Sequence, residues 1–146
     1  MDDSPDPESL VTRLAAATNA HDLDALVDCF ADDYLNETPA HPAQSFTGAE
    51  QVRRNWAQLF AGIPDLRALV LSTAVDGAVA WTEWELSGTR RDGAPQLMRG
   101  VIIFTVAEGR ATSARFYLEP VELDGPDADA AAARVAAAGP RPAPRP

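Results

Sequence analysis

Residues 78–88 read Ala78-Val79-Ala80-Trp81-Thr82-Glu83-Trp84-Glu85-Leu86-Ser87-Gly88, and residues 97–107 read Leu97-Met98-Arg99-Gly100-Val101-Ile102-Ile103-Phe104-Thr105-Val106-Ala107. Both read as strands. Side chains alternate across a strand, so these stretches and the next one, about 110–121, sort into two sets. One set holds Ala80, Thr82, Trp84, Leu86, Met98, Gly100, Ile102, Phe104, Ala114, Phe116 and Leu118. It is almost wholly apolar. Burying it offers roughly 1.5–3 kcal/mol per large side chain, so the register should follow it and turn it toward the interior. The other set holds Val79, Trp81, Glu83, Glu85, Arg99, Val101, Ile103, Arg115, Tyr117 and Glu119. Glu83 and Glu85 there can pair across strands with Arg99 or Arg115, each exposed pair contributing about 0.2–1 kcal/mol. The aromatic and aliphatic members make this face too apolar for a fully wet surface, which suits a homodimer interface with a polar rim.

The neighbouring segments complete a meander. Leu66 to Val75 is another apolar strand, Asp76-Gly77 is a hairpin signal, Asp92-Gly93 lies in the next connection, and Glu108-Gly109 makes a tight turn. The first half has helical spacing instead. Leu10, Val11, Leu14 and Ala17 mark a helix over 8–19. Asp22 caps a second helix carrying Leu23, Leu26, Val27 and Phe30 and ending at Ala31-Asp32-Asp33. Tyr34 to Thr38 is extended because Pro39 disfavours helix before it. Thr47-Gly48-Ala49-Glu50 matches a capping box for a third helix with Val52, Trp56, Leu59 and Phe60 on its buried side. The expected fold is α+β, a curved antiparallel sheet packed against three N-terminal helices to form a cone with an internal pocket. The domain spans 8–123. Residues 1–7 read as a disordered N-terminus. Residues 124–146 read as an Ala/Pro-rich tail, helical over 129–138 and then extended because its prolines alternate.

A formal net charge of −10 disfavours nucleic acid and anionic membrane surfaces. Cys29 is the single cysteine, which excludes an internal disulfide and a cysteine-based metal cluster. The acidic start lacks the pattern of a signal peptide, and no apolar run reaches the ~20 residues of a membrane span, so a cytoplasmic protein is expected.

Asn19-Ala20-His21-Asp22-Leu23-Asp24-Ala25-Leu26-Val27 followed by Phe30-Ala31-Asp32-Asp33 resembles the opening of SnoaL-like proteins and ketosteroid isomerases, within the nuclear transport factor 2-like superfamily. Gly48-Ala49-Glu50-Gln51-Val52, Ile63-Pro64-Asp65-Leu66 and Arg115-Phe116-Tyr117-Leu118-Glu119-Pro120-Val121 are similar to later parts of the same proteins. That fold hosts isomerases, polyketide cyclases, epoxide hydrolases, dehydratases and non-enzymatic binders, so the resemblance implies a fold and a pocket rather than a reaction. The tyrosine, base and acid of ketosteroid isomerases fall on Leu14, Thr38 and Ile102, none of which can do that work. The charged set of limonene epoxide hydrolases falls on Trp84, Leu86 and Phe116, with the polar helpers on Asn36 and Thr38. Neither mechanism carries over.

The resemblance and the alternation nominate the site. Asn36, Thr38, Trp84, Phe116, Leu14 and Ile102 are the expected substrate-binding residues, with Glu37 facing away; Trp84 reads equally as a pocket wall or as core packing. Glu119, with Tyr117 or Arg99, is the expected proton-moving group. That role needs a bulge in the last strand to turn Tyr117 or Glu119 inward, where burial would raise a carboxyl pKa. The alternative leaves all three on the outer face. His21 reads as solvated in a turn. His41 lies in a proline-flanked loop near the pocket mouth, either solvated or shuttling a proton. The two histidines have no metal-binding spacing with nearby acids. No metal or cofactor is expected. The expected partners are a hydrophobic small molecule and a second copy of the chain, and the function is cofactor-free acid–base chemistry or non-catalytic binding.

Overall fold

The computed structural model describes residues 6–138. The first five residues and the final Pro/Arg run, 139–146, for which disorder and an extended tail are expected, lie outside the described residues. The chain folds as α1 (Pro7–Ala20), α2 (Leu23–Val27), β1 (Phe30–Glu37), a 3-10 turn (Pro42–Gln44), β2 (Phe46–Thr47), α3 (Ala49–Gly62), β3 (Arg67–Asp76), β4 (Val79–Thr89), β5 (Pro95–Ala107), β6 (Arg110–Pro120) and α4 (Ala128–Ala138). This is the expected α+β class, with a curved sheet packed on three N-terminal helices. The six strands run in the order β2-β1-β6-β5-β4-β3, antiparallel except where β1 lies parallel to β6.

The helices start and stop for local reasons. Asp6 caps α1 by accepting the Ser9 N–H at 2.7 Å, and Pro7 fills the first helical position, where no N–H is needed. The ordered fold therefore takes in Asp6 and Pro7. Asp22 caps α2 through the Ala25 N–H at 3.1 Å. Two sequence expectations change here. α2 stops at Val27, because Phe30 already pairs with Ala111 of β6 and Cys29 O accepts the Ala111 N–H at 2.8 Å. The Thr47–Glu50 capping box does not form. Thr47 is held opposite Leu35 in the β1–β2 ladder, and Gly48, at φ 96°, makes the turn into α3 with no side-chain cap.

The Asn19–Asp22 stretch is a joint rather than a solvated turn. Asn19 accepts from the Ala68 N–H at 2.7 Å and donates to Ala68 O at 3.0 Å, fastening the end of α1 to β3. His21, in the left-handed conformation at φ 53°, stacks on Phe60 with centroids 4.4 Å apart and bonds Leu66 O at 2.7 Å. Cys29 is buried, its thiol pKa raised by burial, and behaves as a packing side chain.

Across the sheet the inner residues line up in rows: Ala80, Phe104, Ala114 and Asn36; then Thr82, Ile102 and Phe116; then Trp84, Gly100 and Leu118; then Leu86 and Met98. Gly100 is required in its row, since a Cβ there would overlap the Tyr117 carbonyl oxygen of β6. Helix α1 packs over β3, β4 and β5, whereas α3 packs against β1 and α2.

Candidate functional site

The space between α3 and the β6–β1 side of the sheet is a cavity of about 590 Å³. Its walls come from separate elements. Phe116 and Leu118 project from β6, Leu86 from β4 and Met98 from β5, while Trp56, Leu59 and Ile63 close it from α3 and its end. Polar groups sit at defined places in this apolar frame. Asn36 and Thr38 come from β1 and the residue after it, Gln44 and Ser45 from the following loop, Gln51 and Asn55 from α3, and Gln96 from β5.

Hydrogen bonds hold the β1 wall. Tyr34 is fully buried, and its hydroxyl donates to Asn36 Oδ1 at 2.7 Å. Burial pushes the Tyr34 phenol pKa up, so the hydroxyl keeps its proton. Asn36 Nδ2 donates to Thr38 Oγ1 at 3.2 Å, and the Thr38 N–H donates to Ser45 Oγ at 3.1 Å. The loop between is compact, with the His41 N–H on Thr38 O at 2.8 Å and the Gln44 N–H on His41 O at 2.9 Å.

One ionisable side chain is among the lining residues, Glu119 at the end of β6. Its Oε1 lies 2.8 Å from His41 Nε2, and the two side chains are 48% and 44% exposed, so the pair stands at the mouth and ties the loop to the sheet. Among the described residues no three His, Cys, Asp or Glu side chains cluster to hold a metal ion.

A family model described as a SnoaL-like domain matches residues 11–114. The chain belongs to the SnoaL-like family. Three solved structures place its fold. One is a hypothetical protein of ketosteroid isomerase-like fold from Catenulispora acidiphila in complex with trimethylamine, 24% identical, TM-score 0.66, covering 77% of this chain and 86% of that one. Another is wild-type IdmH, proposed to be a polyketide cyclase, from Streptomyces antibioticus, 22% identical, TM-score 0.67, covering 77% and 91%. A third is a proposed ketosteroid isomerase from Kribbella flavida, 21% identical, TM-score 0.63, covering 82% and 80%. No curated protein sequence matches the chain. At these identities the likeness is one of fold. No helix among the described residues is long and apolar enough to cross a membrane.

Within this SnoaL-like domain the sequence-nominated residues separate into groups. Asn36, Thr38, Phe116 and Glu119 meet at the cavity. Trp84, Leu14 and Ile102 do not line it, being only 3%, 4% and 3% exposed within the core. Trp84 leans back along β4, its Nε1–H donating to Thr82 Oγ1 at 2.6 Å, and Thr82 donates in turn to Ile102 O at 2.6 Å. Tyr117 and Arg99 face outward. The β5–β6 register runs unbroken from Met98–Pro120 to Thr105–Ser113, so no bulge turns them in, and Arg99 Nε is held by Glu85 Oε1 at 2.8 Å. Glu119 keeps its outward parity and reaches the cavity only because β6 ends at the mouth; it is half exposed rather than buried. Tyr34, Gln51 and Asn55 were not singled out from the sequence. Their signals are there in retrospect: Tyr34, Asn36 and Thr38 share one strand face, and Gln51 and Asn55 are one helical turn apart.

Proposed function

We propose that this SnoaL-like domain is a cytoplasmic enzyme performing cofactor-free acid–base chemistry on a hydrophobic, cyclic or polyketide-like small molecule. The reaction class is cyclisation, isomerisation, dehydration or epoxide opening. The observation that carries this reading is the cavity-lining Glu119 in contact with His41. A carboxylate at the mouth of an apolar cavity is placed to take a proton from a carbon next to a ligand carbonyl. The electron pair of the broken C–H bond moves into the enolate, whose oxygen carries the charge, and the same carboxyl returns the proton to a second atom. His41 holds the carboxylate at the opening. Asn36 and Thr38 receive the ligand oxygen, and Phe116 with Trp56 flanks its ring.

Solvent deuterium exchange at the α-carbon of a cyclic ketone such as 2-tetralone, followed by NMR, tests this directly. Wild-type protein should accelerate exchange, and Glu119→Gln should lose about 10²–10⁴-fold of the acceleration. Ligand binding with no acceleration by the wild type would leave the second reading, a non-catalytic binding module. That reading is favoured by a lining that is otherwise wholly uncharged.

A homodimer through the outer sheet face belongs to the same proposal. Trp81 and Tyr117 stand 52% and 39% exposed there, beside half-buried Val101 and Ile103 and the Glu85–Arg99 ion pair. An apolar centre with a charged rim suits self-pairing.

A further inference from the structure

We infer that the ligand presents two carbonyl-type acceptor oxygens, because the carboxamides on two walls of the cavity are oriented as hydrogen-bond donors. This rests on the reading that the cavity takes a ring ligand, and it specifies that ligand's chemistry.

The polarity follows from which groups can only give. On the β1 wall the Tyr34 hydroxyl is buried and bonds Asn36 alone among the described residues. If Asn36 turned its amide around, the phenol hydrogen would be buried with no acceptor, at the cost of an unsatisfied donor. Asn36 Oδ1 is therefore committed to Tyr34. Its Nδ2 gives one hydrogen to Thr38 Oγ1 and keeps the other for the cavity. Thr38 Oγ1, being an acceptor in that bond, has its own hydrogen free to give. Ser45 Oγ accepts the Thr38 N–H and is left in the same condition.

On α3 the direction is set by a guanidinium, which has no acceptor. Arg54 Nη2 donates to Gln51 Oε1 at 2.7 Å, which leaves Gln51 Nε2 to donate to Asn55 Oδ1 at 2.8 Å. Asn55 Nδ2 then has no acceptor among the described residues, and Asn55 lines the cavity. Two relays, one begun by a phenol and one by an arginine, end in N–H groups from β1 and from α3. Gln44 and Gln96 have no such fixed partner among the described residues and can turn either way. A pair of carbonyl oxygens satisfies both fixed donors. A pair of alcohols would bring hydroxyl hydrogens for which the two relays leave no carboxamide oxygen, so they would have to turn away to Gln44, Gln96 or Glu119.

The test uses 2,2-dimethylindane-1,3-dione, a neutral diketone with no hydrogen on the carbon between its carbonyls, so Glu119 cannot turn it over and only binding is read. Its affinity by NMR titration is compared with those of 2,2-dimethylindane-1-one and 2,2-dimethylindane-1,3-diol. The diketone should bind wild-type protein about tenfold more tightly than the diol, with the monoketone between. Tyr34→Phe should narrow the preference by freeing Asn36. Arg54→Leu, on an exposed helix position where folding is not at risk, should narrow it by freeing Gln51 and Asn55. A diol that binds as tightly as the diketone, or a preference unmoved in both relay variants, overturns the inference while leaving the cavity as a ligand site. Failure of every member to bind at millimolar concentration overturns it together with the proposed function.

Discussion

Under α1, on the β3–β5 side of the sheet's inner face, Trp84 folds back onto Thr82 and packs edge-to-face with Phe104, ring centroids 6.4 Å apart, with Leu14 and Ile102 buried in the same core. Toward β6 and β1, in the same rows and with the same inward parity, Phe116 and Leu118 face a void that also reaches Leu86 and Met98 in the last row of β4 and β5. The residue types barely differ. The cover does: α1 lies on the first region, and α3 stands off the second with a polar stripe, Gln51 and Asn55, where α1 has Leu10 and Leu14. Alternation along a strand decides which face is inside, while the helix above decides whether that inside is solid.

The two regions should respond oppositely to the same truncation. Phe104→Ala, in the filled region, should cost about 3–5 kcal/mol in urea unfolding, with ligand affinity of the folded fraction little changed. Phe116→Ala, in the hollow region, should cost only about 1–2 kcal/mol and instead weaken ring-ligand affinity about tenfold or more. Equal stability losses at both positions would mean that the void collapses in solution. A smaller effect is expected on the outer face: Trp81→Glu should leave thermal stability of the monomer nearly unchanged and shift sedimentation equilibrium from dimer to monomer. A dimer that withstands this substitution pairs elsewhere.

The smallest effect lies at the joint beyond α3. Asp65 accepts the Thr89 N–H at 2.6 Å, and chiefly for that reason its carboxyl pKa is held below the ordinary 3.8. A lowered folded-state pKa contributes stability above about pH 4 that is lost as pH falls through the folded value. Asp65→Asn should therefore lower Tm slightly at pH 7 and flatten its acid limb, the two proteins converging as pH falls below about 4 through the folded-state value.

Much of this was legible in the amino-acid sequence. The four meander strands and the two-sided sorting of their residues follow from alternation and from turn residues such as Asp76-Gly77. The Asn19–Asp22 motif signalled the fold because its polar members each hold a part of the structure in place. Asn19 grips β3, His21 seats on Phe60, and Asp22 caps α2. The lining of the cavity was half legible. Asn36, Thr38, Phe116 and Glu119 lie where strand parity and family likeness could point. Ile102 lies in the core, unforeseen because parity carries no information about which helix covers a row, and Trp84 took its core-packing alternative, undecided from sequence for the same reason; Leu14, nominated by family likeness alone, is part of the helix that does the covering. Arg99 and Tyr117 stayed on the outer face that alternation gave them, since only a bulge could bring them in and the Arg99–Glu119 register is regular. The donor relays could not be foreseen, since they depend on β1 lying beside β6 and on side-chain directions that spacing does not fix.

That placement of β1 has a consequence for synthesis. Phe30–Glu37 emerges from the ribosome early, yet its parallel neighbour is the last strand to appear, and the His41–Glu119 contact spans 78 residues of sequence. The wall bearing Tyr34 and Asn36 therefore has no seat until almost the whole domain has been translated. Nascent chains halted before β6 should expose this hydrophobic segment to chaperones and proteases, whereas the β3–β5 meander, built from neighbours in sequence, can zip up on its own schedule.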